Sequence, residues 1–277
     1  MEIRVASADD ITVMVEWAAC EGWNPGVADA ACFRVADPQG FLIGVEGGEP
    51  AACISVVRYG GRFGFLGFYI CRAEFRGRGF GLALWQAGLA HLAERAIGLD
   101  GVVAQQANYR KSGFALAHRN VRYAGTVTSV SSAAANIVAV TPEMAPAIQD
   151  FDAPIFGAPR VVFLNAWLGQ TGHIARVYLA QGHVRGYAVL RPCREGFKLA
   201  PLFADSPDIA EALFGALAAE AGAAKLMLDL PEPNAAATAL ARRHGLTPVF
   251  ETARMYRGSA PELPLEKIYG LTSFELG

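Results

Sequence analysis

The chain has 277 residues, 53% of them hydrophobic and 18% charged, with a formal net charge of -2. That length suits about two ordinary domains with sizeable cores and argues against a disordered chain. It carries no global basic field to recruit nucleic acid or an anionic membrane.

The opening "EIRVA" reads as a strand, and "SADD" can cap the helical stretch "ITVMVEWAAC". A Gly/Asn/Pro break separates it from a second helical stretch, "VADAACFRVA". Three strands follow on tight connections: "FLIGVEG", "PAACISVVRY" and "RFGFLGFYIC". The third is apolar at nearly every position from Phe65 to Cys71, as expected of a central strand buried on both faces. Next comes "EFRGRGFGLALWQ", a glycine loop opening a helix whose Leu82, Trp85, Leu89 and Leu92 share a face, with Gly98 read as the stop. "GVVAQQ" reads as a strand, "ANYRKSGFALAHR" as a short helical segment and "VRYAGTV" as a closing strand.

The small, polar "TSVSSAAAN" reads as a linker. Beyond it the order repeats: strand "NIVAVT", helical stretches "PEMAPAIQDFD" and "PRVVFLNAWLG", and strands "HIARVYLA", "VRGYAVLR" and "FKLAPLFA". Helix "SPDIAEALFGALAAEAG", strand "KLMLDL", helix "NAAATALARRHG" and strand "PVFETARMY" complete the second half. Both halves end on Asn, helix, glycine, then a strand closing on Arg-Tyr or Arg-Met-Tyr with glycine two residues on, which points to internal duplication. The divisions expected are residues 1–128, a linker over 129–136, a second unit over 137–258 and a tail over 259–277.

The five cysteines are scattered, odd in number and without a C-x-x-C pair, which favours reduced thiols and a cytoplasmic setting. The N-terminus lacks the basic start and apolar core of a secretory signal, and His91, Glu94 and Arg95 interrupt the most apolar helix, so no membrane segment is expected. The five histidines lack metal-ligand spacing and no metal is expected.

The glycine loop carries the most chemistry. Strand, glycines and helix start together make an anion site, because the first helical N–H groups are unpaired and the helix dipole adds positive potential. Gly77, Gly79 and Gly81 permit close approach, while Arg76 and Arg78 add fixed charge. The plainer alternative is a basic surface turn. A dinucleotide fingerprint would need glycine where Leu82 stands, and no Gly-Lys-Ser/Thr triplet follows for a Walker A loop. What remains is R-x-x-G-x-G, from Arg76 through Gly79 to Gly81.

This motif resembles the pyrophosphate loop of the GNAT superfamily of N-acetyltransferases, and the strand order before it is similar to that fold. "YRKSGF" resembles the superfamily's Tyr-x-x-x-Gly-Phe segment, and "FYIC" stands where members splay a strand. "CEGWNPG" and the ending "GLTSFELG" resemble a bacterial subgroup with a second, degenerate GNAT-like domain. The resemblance implies an α+β (mixed α/β) protein of two tandem domains, each a mostly antiparallel sheet flanked by helices, with the catalytic half first.

It further implies acetyl-coenzyme A as co-substrate and an amine acceptor, small molecule or peptide, attacking directly. Amides of Arg76, Gly77, Arg78, Gly79, Phe80 and Gly81 would cradle the pyrophosphate, and Ile70 and Cys71 would hold the acetyl carbonyl and the pantetheine. Tyr109 matches the tyrosine proposed to protonate the departing thiolate, although it can equally pack at a helix start. Asn108 adjoins Tyr109, where relatives place an asparagine a turn or more earlier, so no coenzyme role is carried to it. Glu21 is a candidate proton relay or amine anchor and equally a turn cap, with Glu74 a weaker candidate. Trp23, Asn24 and Tyr69 are candidate acceptor contacts, and Cys71 is read as inert. In the second half "LAPLFADSPDIAEALF" replaces the loop, and Asp205 and Asp208 there would repel a diphosphate. That half is expected to shape the acceptor cleft, with the tail reaching across the junction. Transfer of a longer acyl or aminoacyl group, and a non-catalytic acyl-coenzyme A sensor, stay open, as does self-association. Nucleic-acid and membrane partners are not expected.

Overall fold

The computed structural model describes residues 1–127 and 136–277, so the expected linker, Asn136 apart, lies outside the described residues. The first half runs β1 (Glu2–Val5), α1 (Ala8–Cys20), α2 (Asp29–Ala36), β2 (Phe41–Glu46), β3 (Glu49–Tyr59), β4 (Phe63–Cys71), α3 (Phe80–His91), β5 (Ala96–Val102), α4 (Gln106–Lys111) and β6 (Ala115–Thr126). The second runs β7 (Ile137–Ala139), α5 (Ala145–Phe156), α6 (Val161–Gly169), β8 (Ile174–Ala180), β9 (His183–Pro192), β10 (Phe197–Ala204), α7 (Pro207–Ala221), β11 (Lys225–Pro231), α8 (Ala235–Arg243) and β12 (Thr247–Arg257). The two orders of elements are the same, and a short β13 (Ile268–Gly270) follows in the tail, paired with β10.

Local chemistry accounts for the helix starts. Ser7 and Asp10 form a reciprocal capping box on α1, with the Asp10 carboxylate accepting from the Ser7 amide at 2.7 Å. Ser206 and Asn234 cap α7 and α8. Several boundaries differ from the sequence expectation: only Gly101 and Val102 of "GVVAQQ" lie in a strand, and "ANYRKSGFALAHR" is helical only to Lys111, with residues 115–119 opening β6. Helix α3 ends at His91, and Gly98 lies inside β5. A Cβ there would stand 3.0 Å from Phe65 and 3.1 Å from Tyr256, so glycine lets those rings lie against the strand. The buried face of α3 is Leu84, Trp85 and Gly88, while Leu82 is 60% exposed.

The halves share one mixed sheet in the order β1-β2-β3-β4-β5-β12-β6-β11-β10-β9-β8-β7. Their last strands are exchanged. β12 of the second half pairs antiparallel with β5 of the first, and β6 of the first pairs with β11 of the second. β6 and β12 also pair with each other, which joins the two sheets edge to edge. Helices α1, α2, α5 and α6 bury a common core on one face, where Phe33 stacks on Trp167 at 6.1 Å. The tail enters this core: the Ser55 and Tyr59 hydroxyls donate to the carbonyls of Glu275 and Leu276. Helix α3 and Tyr109 pack on the other face of the first half. Among the described residues no helix is long and apolar enough to cross a membrane.

Candidate active site

The site begins with an irregularity in β4. Cys53 pairs with Ile70 and Ser55 with Gly67, so β4 spends one residue more than β3 over the same span, and Phe68 takes φ +43°. Parallel pairing with β5 covers only Phe63–Leu66 against Ala96–Leu99. Past that point Gly67–Cys71 and Asp100–Val102 stand apart and line a cavity of about 420 Å³. This is the splay expected at "FYIC". Cys71 lines the cavity, and burial raises the pKa of its thiol, which makes it a poor nucleophile.

The loop after β4 meets this opening. Gly77 and Gly79 have φ of +77° and +81°, and a Cβ on either would meet no atom within 4 Å. Gly79 is the N-cap of α3 and supplies no side-chain cap. Among the described residues the amides from Gly77 through Leu82 have no protein acceptor, and the ladder starts with Ala83 donating to Gly79 at 3.1 Å. Consecutive free amides at a helix start, in a loop with room for close approach, fit an anionic diphosphate. The arginines divide their work. Arg78 pairs with Glu46 at 2.8 Å and lies 4.6 Å from the Phe80 ring. Arg76 turns toward the cavity, donating to the Cys71 carbonyl at 2.9 Å and to Glu21 at 3.2 Å. Glu74 pairs with Arg72 on the surface.

The second half has the same scaffold with fewer free amides at the helix start. Ser206 caps α7, Pro207 has no N–H, and the Asp205 amide donates to Arg185 at 2.9 Å. Asp205 pairs with Lys267 and Arg185, so its carboxylate serves the tail rather than the helix start.

Tyr109 closes the junction from the opposite face. Its ring stacks on Trp85 at 5.6 Å and lies over β5, lining the cavity. Burial pushes its phenol up to about 12, so it remains a hydrogen-bond donor at any ordinary pH. Its hydroxyl donates to no protein group among the described residues. Tyr69 also lines the cavity, 5.2 Å from Trp85, and its hydroxyl lies 2.8 Å from where a Cβ of Gly81 would stand.

On the α1 side, Glu21 is the C-cap of its helix and lines the cavity with Trp23. Asn24 points elsewhere: it exchanges hydrogen bonds with the Glu195 backbone at 3.0 and 3.1 Å and ties the connection to the second half. The same tie includes the buried Asp29–Arg191 pair and the Lys198 ammonium, which burial lowers to about 8, donating to the Trp23 carbonyl at 3.1 Å.

Several lining residues escaped the sequence reading. Phe250 and Thr252 come from the exchanged strand β12, Phe274 from the tail, and Asp100 and Gly101 from β5. Behind them Arg122 of β6 makes a bidentate pair with Asp229 at 2.6 and 2.7 Å and donates to the Trp23 carbonyl at 2.7 Å. The exchange that brings these groups together joins strands more than a hundred residues apart, and no local pattern encodes it.

Comparison with known proteins places this geometry. Residues 148–270 match the family model of the acetyltransferase (GNAT) domain, and residues 9–114 match that of the acetyltransferase (GNAT) family. Holothin acyltransferase of Pseudoalteromonas sp. (strain SANK 73390) is 31% identical over 275 residues, which cover 99% of this chain and 94% of the relative. A candidate acetyltransferase from Pyrococcus horikoshii superposes with a TM-score of 0.82 at 25% identity, over 100% of this chain and 95% of the other. A tandem GNAT protein from the clavulanic acid biosynthesis pathway shares the fold, with a TM-score of 0.61 at 15% identity over 94% and 99% of the two chains. With two matched GNAT regions, a full-length relative above 30% identity and the free-amide loop in its first half, the chain belongs to the GNAT family of acyltransferases and is built from two GNAT-like domains.

Proposed function

We propose that this acyltransferase moves an acetyl group from acetyl-coenzyme A to the primary amine of a small-molecule or peptide acceptor by direct attack. The observation that carries the reading is the run of free amides from Gly77 through Leu82, opening on the gap between β4 and β5. That run suits the coenzyme diphosphate, and the backbone of Ile70 and Cys71 in the gap suits the thioester end. The amine nitrogen bonds to the thioester carbon, the carbon–sulfur bond breaks, the amine gives up one proton and the thiolate gains one. Tyr109 hydrogen-bonds to the departing sulfur as a phenol. Its high pKa makes it a steady donor to developing charge rather than a group that ionises outright. Glu21, exposed beside Arg76, stands at the cavity mouth on the acceptor side, where it suits relay of the amine proton to water. The relative named as a holothin acyltransferase supports acyl transfer as the reaction type.

The test is release of free coenzyme A thiol from acetyl, propionyl and longer acyl donors, each against a panel of amines. Turnover strongest with the acetyl donor is expected. A stronger response to a longer acyl chain would replace acetyl with that group, and donor binding without turnover on any amine would favour a sensor.

A further inference from the structure

We infer that the acceptor is a flat, uncharged aromatic or heteroaromatic amine rather than an aliphatic polyamine or a lysine side chain. The inference rests on the acyl-transfer reading and specifies its second substrate. Three aromatic side chains from three distant segments line the acceptor side: Trp23, Phe250 and Phe274. One buried guanidinium organises all three. Arg122 holds the Trp23 carbonyl at 2.7 Å, and its Cζ lies 5.7 Å from the Phe250 centroid and 5.0 Å from that of Phe274. The two phenyl rings are 6.0 Å apart and tilted by 45°. With one side of the rings covered by a fixed cation, their cavity side suits a flat apolar body.

Charge points the same way. Both carboxylates that line the cavity are already paired, Glu21 with Arg76 and Asp100 with Arg254, the latter at 2.8 and 2.7 Å. A protonated amine would find no free anion among the described lining residues and would face the guanidinium groups behind them. Among the described residues no histidine lines the cavity and Glu21 is engaged by Arg76, so little is present to strip a proton from an alkylamine of pKa about 10 before attack. An aromatic amine is neutral near pH 7 and needs no such base before attack. Thr252 supplies a polar edge to this wall: it is 2% exposed, and its hydroxyl has no partner among the described residues.

The experiment measures thiol release from acetyl-coenzyme A with aniline and 3-aminopyridine against spermidine and lysine. At least tenfold higher kcat/KM for the flat amines is expected, and for aniline it should stay level from pH 6 to 9 because its nitrogen does not titrate there. Trp23→Ala and Phe274→Leu should raise KM for the flat amine at least fivefold with donor Kd unchanged, and donor binding itself reports that each variant is folded. Preference for spermidine or lysine would overturn the inference and leave acyl transfer standing. Donor binding with no turnover on any of the four would overturn both.

Discussion

A Cβ on Gly101 would stand 2.3 Å from Cε2 of Tyr109, so the bare backbone of β5 is what lets the phenol lie across the strand beside the β4–β5 gap. Gly101→Ala should therefore push the ring outward. We expect a stability loss of about 1–3 kcal/mol from overpacking. kcat should fall about tenfold or more, because ångström-scale misplacement of a reacting group is costly. Donor Kd should change less than threefold, and urea unfolding with steady-state kinetics checks all three.

Tyr109 also predicts an alkaline signature. An unfolded chain loses a tyrosine proton near pH 10, whereas burial holds this one to about 12. The folded chain keeps a proton that the unfolded chain releases, so the contribution is whole below pH 10 and drains as pH rises to 12. Tyr109→Phe should remove up to about 2 kcal/mol of the stability loss over that window, read by urea unfolding at pH 9 and 11. The same variant should slow turnover with donor affinity nearly unchanged, and wild-type kcat should not decline between pH 8 and 10 through this group.

Gly79→Asp places a carboxylate at the open helix start. Aspartate tolerates the left-handed backbone, so stability should fall by only about 1 kcal/mol. Acetyl-coenzyme A affinity, by calorimetry, should weaken by more than tenfold. Asp205→Ala alters the matching turn of the second half, where Ser206 already caps the helix, and donor Kd should stay within twofold. Equal losses would count against a diphosphate at the first loop.

Arg122→Met would leave Asp229 buried without its partner and leave the Trp23 carbonyl held by Lys198 alone. Breaking a buried pair of this kind costs about 3–5 kcal/mol. Acceptor KM should rise with donor Kd preserved. Pairing the change with Asp229→Leu should recover much of the stability, measured by thermal unfolding, but not the acceptor KM.

What could be read from the sequence was local. "SADD" announced its helix because a cap is a contact between neighbours in the chain. The Arg76–Gly81 loop declared itself because free amides require only a glycine turn before a helix. Gly98 misled because glycine ends helices and also lets rings cross a strand, and only the tertiary neighbours Phe65 and Tyr256 decide between them. Helix α3 is apolar almost all round, so its spacing could not single out Leu84 and Trp85 over exposed Leu82. Phe250 and Phe274 were hidden for a different reason. Each looks like ordinary core in its own segment, and the cavity they line is bordered by strands of the other half.

The trade of β6 for β12 makes the duplication irreversible in a physical sense. Cut between the repeats, each fragment would carry a strand that belongs in its sibling and a bare edge where the sibling's strand should sit. Neither half completes its sheet without the other, so the half that lacks the glycine loop still supplies a strand the first half needs.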